Sequence, residues 1–305
     1  MFSVTILASS SGGNCALLTT ERRKFLVDAG LSARQIALRL DSLGVKLEEL
    51  DGIFITHEHI DHVVGLPVLL KKTNLPVYCN SQTRNALREN TGNGLSEYRH
   101  WHTFQTGAEF AVEDLTVQTF HIPHDAVDPV GYAFCHGNDC IGFLTDLGYA
   151  TALAIERIRN AHTLVLESNH DEKMLQDCPK RPWSLKQRIL SRHGHLSNSA
   201  AANLVENLLD RNLRQLILGH LSRDCNTPEI ALATMRSKLS ALGVENVDVH
   251  CASPVEVSPR FTAHTNPAYG QCADQVDPVC HDQHHRSTPA YVTELFREFA
   301  QADAA

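Results

Sequence analysis

The stretch THEHIDH, residues 56–62, carries three imidazoles and the Asp61 carboxylate within six positions. It follows the apolar run GIFI, which predicts a buried strand that fixes where the loop begins. Imidazole and carboxylate are common ligands of divalent metal ions, and a sharp turn after a strand can gather them around one ion. A solvated polar loop does not need three histidines beside an apolar strand. The stretch therefore predicts a metal site formed by His57, His59, Asp61 and His62.

One loop completes a pair of metal ions only with ligands from elsewhere in the chain, and these are expected at the ends of other strands. Asp146 follows the apolar run CIGFLT, and His220 follows LRQLIL. Two histidines, His121 and His124, come after the run LTVQTF, and the residue types alone do not choose between them. Because the ends of neighbouring strands can face one edge of a sheet, we expect these side chains to join the first cluster.

The elements that must position these residues are those of an α/β protein. Short β-rich runs separated by turn signals dominate the first half, and helices alternate with strands later. We expect layered sheets in one domain, residues 1–257. Residues 258–305 are polar, rich in Pro and His and aperiodic, which predicts a flexible extension with a short terminal helix. Its metal-ligand types are expected to lie in an exposed tract: Cys280, His281, His284 and His285.

Composition limits the kind of protein. Of 305 residues, 43% are hydrophobic and 20% charged, and the net charge is −8, so any contact with nucleic acid must be local. The N-terminus lacks the features of a signal peptide, and no window approaches the roughly 18 apolar residues that span a membrane. Nine cysteines, Cys135 and Cys140 among them, lack the spacing of a zinc module. They predict reduced thiols packed as small apolar side chains, in a cytoplasmic protein with no membrane partner.

The order of the candidate ligands carries a resemblance to a known family. The pattern His-x-His-x-Asp-His, then His, then Asp, then His, each after a strand, resembles the metallo-β-lactamase superfamily over residues 1–255. That resemblance implies an αββα four-layer sandwich with a dinuclear metal centre. The stretches LASSSGGNC, IPHDAVDPVGY, LESNHD, GHLSN and LGHLSRDCN are most similar to the WalJ-type (YycJ-type) branch, regarded as 5′→3′ DNA exonucleases. They also resemble the ribonuclease Z group, which trims tRNA precursors.

The resemblance implies how seven side chains are shared between two divalent ions, Zn²⁺ or Mn²⁺. The first ion takes His57, His59 and His124, the second takes Asp61, His62 and His220, and the bridge is Asp146. The family pattern His-Asp-Ala selects His124 over His121. Two such ions can share a hydroxide that attacks the phosphorus of a phosphodiester in line, and Asp61 can also orient it.

Phosphodiester cleavage also requires a proton for the leaving alkoxide, and no metal ligand is free to give one. In ribonuclease Z-like enzymes a glutamate at a strand end and a histidine in a His-Ser/Thr loop are viewed as a proton-shuttle pair, and Glu167 and His195 resemble them. Glu167 would raise the pKa of His195 and keep a proton available. His170 is interpreted either as a support of this pair or as a first-turn helix residue. His193 is expected to cap the end of the preceding helix.

Small polar residues in two predicted turns are candidates for contacts with substrate phosphate. Ser10, Ser11 and Asn14 lie in a Gly-rich turn, which is equally interpreted as a β-turn that needs positive φ. Ser197 and Asn198 lie at a predicted helix N-terminus, where free amides favour phosphate and where an N-cap is also expected.

Two further sets of charged residues have expected roles. Asp28, at the end of the run KFLV, is expected to support the metal loop rather than to bind metal. Arg181, Arg188 and Arg192 lie close in sequence to His195 and can follow a nucleic-acid backbone.

Four functions compete. The first is a dinuclear metal-dependent phosphodiesterase that acts on DNA as a 5′→3′ exonuclease. The second, an RNA-processing nuclease of the ribonuclease Z kind, would use a long arm to grip tRNA, and no such insertion is evident, so DNA is favoured over RNA as the substrate. The third, a thioester or lactone hydrolase similar to glyoxalase II, would suit carboxylate-rich loops without GHLSN. The last, a non-catalytic binding protein, would be expected to lack metal ligands, and none is missing here.

Overall fold

The apolar runs of the sequence build two sheets of seven strands each. The computed structural model describes residues 1–90, 95–209 and 212–263. In chain order the strands are β1 (Phe2–Ala8), β2 (Cys15–Thr19), β3 (Lys24–Val27), β4 (Gly52–Phe54), β5 (Val77–Asn80), β6 (Trp101–Phe104), β7 (Glu109–Val112), β8 (Leu115–His121), β9 (Val130–His136), β10 (Asp139–Leu144), β11 (Thr163–Glu167), β12 (Gln215–Gly219), β13 (Asp248–Cys251) and β14 (Phe261–Ala263). The first sheet has the order β14-β1-β2-β3-β4-β5-β6, and the second has the order β13-β12-β11-β10-β9-β8-β7.

Helices connect the strands that run parallel. In chain order they are α1 (Ala33–Ser42), α2 (Ile60–Val63), α3 (Leu66–Thr73), α4 (Ser81–Asn90), α5 (Ala152–Ile158), α6 (Glu172–Asp177), α7 (Trp183–Ile189), α8 (Asn198–Glu206) and α9 (Pro228–Ala241). Side-chain oxygens cap several helix starts: Ser32 accepts a hydrogen bond from the N–H of Gln35, and Thr227 accepts one from the N–H of Ile230.

Three apolar layers hold the chain together in the αββα arrangement that the sequence predicts. The middle layer lies between the sheets, where Phe25 and Phe54 of the first sheet meet Tyr132 and Phe134 of the second. A second layer joins the outer face of the first sheet to α1 and α3. A third joins the outer face of the second sheet to α5, α8 and α9. Burial of apolar surface on both faces of each sheet therefore stabilises a four-layer sandwich.

Parallel pairing directs the predicted site residues to one end of the strands. Strands β3 to β6 pair in parallel in the first sheet, and β10 to β13 do so in the second. Their carboxyl ends therefore lie at the same edge of each sheet, which is where ligands bind in α/β proteins. The site residues Asp28, Asp146 and His220 directly follow this edge or lie within two residues of it.

Residues beyond Val257, where the domain is predicted to end, pack against the first sheet. The first of two compact units ends at Thr265, and β14 pairs antiparallel with β1. Ser258 also accepts a hydrogen bond from the N–H of Ile6 at 2.8 Å. A strand of three residues is too short to show a periodic pattern, which is why the sequence did not reveal it. The remainder of the predicted extension, from residue 264, lies outside the described residues, with its cysteine, its histidines and its predicted helix.

The prediction that all cysteines are reduced is wrong for one pair. Cys135 and Cys140 form a disulfide, because they lie directly opposite each other where β9 pairs antiparallel with β10. The free thiols within the described residues are Cys15, Cys79, Cys178, Cys225 and Cys251. In the same part of the chain, no helix has the length and apolar character needed to cross a membrane.

The contribution of β14 can be measured by substitution. Phe261 is buried between the sheets, whereas Thr262 is half-exposed on the same strand. We expect Phe261→Ala to lower the free energy of unfolding by roughly 3–5 kcal/mol, because it leaves a cavity in a closely packed layer. Urea unfolding of the full chain measures this, with Thr262→Ala as the matched control. Equal stabilities of the two variants would contradict the assignment of β14 to the folded domain.

Candidate active site

The metal loop predicted from THEHIDH follows β4 and leads into α2, so its four candidate ligands project from one turn. Backbone hydrogen bonds hold that turn: the N–H of Asn14 donates to the carbonyl of Asp61 at 2.8 Å, and the N–H of Ala29 donates to the carbonyl of His62 at 2.7 Å. Gly30 is required beside it, because a Cβ there would lie 1.6 Å from the carbonyl oxygen of Asp61. The ends of β2 and β3 thus fix the position of the loop.

A first group of imidazoles consists of His57, His59 and His124. The Nε2 atom of His124 lies 3.3 Å from the Nδ1 atom of His59. The Nε2 atom of His57 is buried and has no hydrogen-bond partner among the described residues. Burial, aided by the neighbouring imidazoles, lowers the pKa of His57, so this ring is neutral and offers a lone pair. These properties fit a divalent cation held by three imidazoles.

A second group consists of Asp61, His62 and His220, and Asp146 lies between the two groups. The Oδ2 atom of Asp61 is 3.3 Å from Nε2 of His220 and 3.5 Å from Nε2 of His62. The Asp146 carboxylate contacts the same two rings, at 3.2 Å from His62 and 3.3 Å from His220. It is also 4.0 Å from Nε2 of His124 in the first group. Asp146 therefore has the position of a bridging ligand.

The donor set as a whole fits two divalent ions. In each group the candidate ligand atoms lie within 4.8 Å of one another, which is close enough to surround a single ion. Burial opposes ionisation of Asp61 and Asp146, but the surrounding imidazoles outweigh it and lower both pKa values, so both groups are carboxylates at neutral pH. Imidazole and carboxylate donors together suit Zn²⁺ and Mn²⁺.

Asp28 supports the metal loop from behind, as the sequence analysis expects. Its carboxylate accepts hydrogen bonds from the backbone N–H and the hydroxyl of Thr56, both at 2.9 Å, and its Oδ2 atom lies 2.7 Å from Nδ1 of His62. With Nδ1 engaged, the Nε2 atom of His62 faces the site. Thr56 is a residue that the sequence analysis missed, although it begins the metal-loop motif, and its hydroxyl is also 3.0 Å from Nδ1 of His57.

Glu167 joins the proposed proton donor to the metal site. It ends β11, is fully buried, and its Oε1 atom lies 2.7 Å from Nδ1 of His195 and 2.9 Å from Nδ1 of His220. Its other oxygen accepts hydrogen bonds from the backbone N–H groups of Leu147 and Leu196. Burial opposes its ionisation, yet the two imidazoles outweigh burial and lower the pKa of Glu167 to about 2. Burial likewise disfavours the charged form of His195, and Glu167 outweighs this and raises the pKa of His195.

The Gly-rich turn after β1 places its three predicted phosphate contacts differently. Ser10 is buried, and its hydroxyl accepts a hydrogen bond from a backbone N–H of the same turn. Asn14 is also buried, and its amide nitrogen lies 3.3 Å from Oδ2 of Asp61. Ser11 is exposed and lines a pocket that also contains His195. Of the three, the position of Ser11 alone suits a substrate contact, whereas Ser10 shapes the turn and Asn14 supports the metal loop.

The start of α8 has a structural role. Ser197 caps the helix by accepting a hydrogen bond from the N–H of Ala200 at 3.2 Å, so the N-cap prediction is confirmed. The contacts of Asn198 do not favour the phosphate contact that was expected there, because its backbone N–H donates to the carbonyl of His170. Its amide is buried and exchanges hydrogen bonds with Asn226, and it accepts one from the hydroxyl of Ser168. A buried amide must pair internally, which leaves it unable to reach a substrate.

Two other histidines lie outside the catalytic contacts. His170 is buried, and neither of its ring nitrogens has a hydrogen-bond partner in the described part of the chain. Its carbonyl accepts a hydrogen bond from the N–H of Asn198, so it packs against the start of α8. His193 is exposed, and the C-cap of α7 is Leu190, so the predicted capping role of His193 is wrong. The helix ends earlier than predicted because Gly194 closes a turn with Ser191.

Three residues that were not predicted as site residues hold His220 and His124 in place. The hydroxyl of Ser9 accepts a hydrogen bond from the N–H of His220 at 2.8 Å, and the side chain of Asn169 donates to the carbonyl of His220 at 2.9 Å. The carbonyl of Gly194 lies 3.2 Å from Nδ1 of His124. All three belong to motifs quoted for the resemblance, which was the available signal. The contact of Gly194 is made by its backbone carbonyl, which the residue type does not reveal.

Comparison with known proteins identifies one family and relatives that agree with it. Residues 23–221 match the family described as "Beta-lactamase superfamily domain". The exodeoxyribonuclease WalJ of Streptococcus pneumoniae is 38% identical over 262 residues, which cover 85% of this chain and 97% of that protein. The exodeoxyribonuclease YycJ of Bacillus anthracis is 36% identical over 253 residues, which cover 82% of this chain and 95% of that protein.

Solved structures show the same fold at low identity. The Zn²⁺-bound PqqB of Methylobacterium extorquens has a TM-score of 0.65 at 15% identity and covers 85% of this chain and 99% of that one. The short form of human tRNase Z has a TM-score of 0.59 at 18% identity and covers 84% of this chain and 98% of that one.

The choice between His121 and His124 can be tested by metal content. His124 is buried among the candidate ligands, whereas His121 is exposed and its Nδ1 atom lies 3.6 Å from Asp128. We expect His124→Ala to lower the number of tightly bound divalent ions by about one per chain, because it removes one of three imidazoles around an ion. Mass spectrometry of the purified variants measures this. His121→Ala is the matched control and keeps the wild-type metal content. The reverse pattern would exchange the two assignments.

Proposed function

This chain belongs to the metallo-β-lactamase superfamily and to its WalJ/YycJ group, and from that membership we propose that it is a metal-dependent exonuclease that degrades DNA from the 5′ end. The observation that carries the proposal is the joint placement of two metal-ligand groups and of the Glu167–His195 pair at one edge of the sandwich. Two curated relatives that cover most of the chain are named exodeoxyribonucleases, which supports DNA as the substrate.

We assign the seven ligand residues to two ions, Zn²⁺ or Mn²⁺. Bound there, such ions would supply a nucleophile at neutral pH and neutralise charge on the phosphodiester. The chain itself fixes the geometry. Asp28 orients His62, and Glu167 orients His220, each through the Nδ1 atom, so that Nε2 of both rings faces the site. Asp61 is one-fifth exposed, which leaves its carboxylate accessible to a water molecule that it can orient.

His195 is the proposed proton donor to the leaving oxygen. Its Nδ1 atom is engaged by Glu167, which leaves Nε2 for the substrate. The side chain is one-fifth exposed at the mouth of a pocket, so a substrate can reach it. The alkoxide that leaves a DNA phosphodiester is a strong base and needs a proton as the bond breaks. Glu167 therefore acts as a positioning residue, and His195 acts as the acid.

The proposed DNA substrate also suggests where in the cell the protein acts. We propose that it works in the cytoplasm, because an exodeoxyribonuclease must reach chromosomal DNA. Nucleic acid is the proposed partner, and the acidic net charge means that contact must be made by a limited surface.

The role of His195 can be tested with two leaving groups. We expect His195→Ala to reduce DNA cleavage roughly 10²- to 10⁴-fold, and to reduce hydrolysis of bis(p-nitrophenyl) phosphate by less than about tenfold. The reason is that p-nitrophenolate can leave without a proton, whereas the sugar alkoxide must receive one as it leaves. Steady-state rates on both substrates, with metal content measured for each sample, give the comparison.

His193→Ala is the matched control, since this exposed imidazole lies two residues away. Equal losses on both substrates would show that His195 does not act as the acid. Loss of a metal ion in His195→Ala would show instead that His195 is a metal ligand.

The substrate class can be tested by parallel digestion. With Mn²⁺ or Zn²⁺ we expect the protein to shorten 5′-phosphorylated single-stranded or duplex DNA faster than a tRNA precursor. His59→Ala and Asp146→Ala should remove this activity together with hydrolysis of bis(p-nitrophenyl) phosphate, because each removes a metal ligand. Gel analysis of end-labelled substrates measures length and polarity. Preferential cleavage of the tRNA precursor would replace the DNA assignment by RNA processing.

A further inference from the structure

One segment of this acidic chain is strongly basic. Residues 178–197, here called the basic segment, contain five Lys or Arg residues and no Asp or Glu, although the whole chain has a net charge of −8. The segment contains α7 and ends just beyond His195. A local concentration of cations that leads into the active site is the feature expected where a polyanion binds an acidic protein.

One face of α7 lines a pocket beside the proposed acid. Arg181, Leu185, Arg188 and Ile189 follow an i, i+4, i+7, i+8 spacing, so they lie on one side of the helix or of its approach. The pocket is also lined by Ser11, Asn169, Ser222 and His195. The pocket therefore contains two guanidinium groups and the imidazole of His195, the proposed donor of a proton to the leaving oxygen.

Carboxylates beside the segment position its cations but do not balance them. Asp224 lies 2.8 Å from Lys180 and 3.4 Å from Arg181. Asp125 contacts the Nε atom of Arg188, and no hydrogen bond within the described residues engages the terminal amino groups of that guanidinium. The guanidinium of Arg192 lies 4.6 Å from the ring centre of Tyr149, not beside an acid. Four exposed or half-exposed cations thus lie beside two carboxylates. Part of their positive charge therefore remains available to bind phosphate.

The next face of α7 exposes a large apolar surface. Trp183 is 65% exposed and Leu190, seven residues later, is 47% exposed. Two helical turns place both on one side of the helix. Single-stranded nucleic acid binds to surfaces that combine exposed aromatic side chains with cations, and Trp183 lies beside arginines in the basic segment.

We propose that the basic segment is the surface that holds the DNA strand: Arg181 and Arg188 bind a backbone phosphate in the pocket, and Trp183 stacks on an unpaired base of the same strand. The inference rests on the proposed function, because it places the strand on the leaving-oxygen side of the scissile bond, where His195 lies. Charge complementarity and the exposed indole select a nucleic-acid strand as the occupant.

The test measures binding without catalysis. The chain has two tryptophans, so Trp101→Phe leaves Trp183 as the sole reporter. In EDTA, a single-stranded oligodeoxynucleotide should quench its fluorescence, whereas an abasic strand of equal length should bind by anisotropy without quenching. Trp183→Ala should raise the Kd for the normal strand at least about fivefold. Arg188→Gln should weaken binding of both strands and reduce the slope of log K against log salt by about one.

Arg88→Gln is the matched control, because this exposed arginine lies at the end of α4 and binds the carbonyl of Ser96. Absence of Trp183 quenching by the normal strand, together with an unchanged Kd in Trp183→Ala and Arg188→Gln, would overturn the inference, and it would leave the proposed function intact if the wild-type protein still shortens DNA. Quenching and salt dependence as expected, in a protein that fails to shorten DNA, would support the surface and overturn the exonuclease assignment.

Discussion

Burial of negative charge is the constraint on which the arrangement of this site depends. A carboxylate removed from water is stable only when donors or cations surround it. Asp28, Asp146 and Glu167 are all buried, and each is within hydrogen-bond distance of imidazole: His62 for the first two, and His220 for the last two. Asp146 follows a strand of the second sheet and His62 lies in the loop after the first sheet, so their contact joins the two sheet edges.

The backbone conformation at these sheet edges shows how the site residues are brought together. Asp28, Asp146 and His220 each follow a parallel strand and each has a left-handed φ, at 61°, 61° and 56°. This conformation costs about 1 kcal/mol or more for a residue other than glycine, and it turns the chain sharply so that the side chain faces across the edge. At His220, the hydrogen bonds of Ser9 and Asn169 to the backbone hold this conformation in place.

Much of this was predictable because ligands and strands leave local signals. Apolar runs bounded by turn residues marked the strands that carry Asp146, Glu167 and His220, and close spacing marked the metal loop. What failed depended on strand pairing, on strand register or on contacts between distant segments. The short strand β14 exists because β1 offers an open edge, and the Cys135–Cys140 bond depends on strand register. The buried state of Asn198 follows from pairing with a residue 28 positions away, which no local pattern records.

The shared oxygen of Glu167 has a consequence for how this protein can change over time. One atom, Oε1, contacts both His195 and His220, so a single side chain sets the orientation of the acid and of a ligand. Substitutions at these three positions are therefore expected to show strong epistasis rather than independent effects. A lineage that lost Glu167 would lose, in a single step, the hydrogen bonds that orient both histidines.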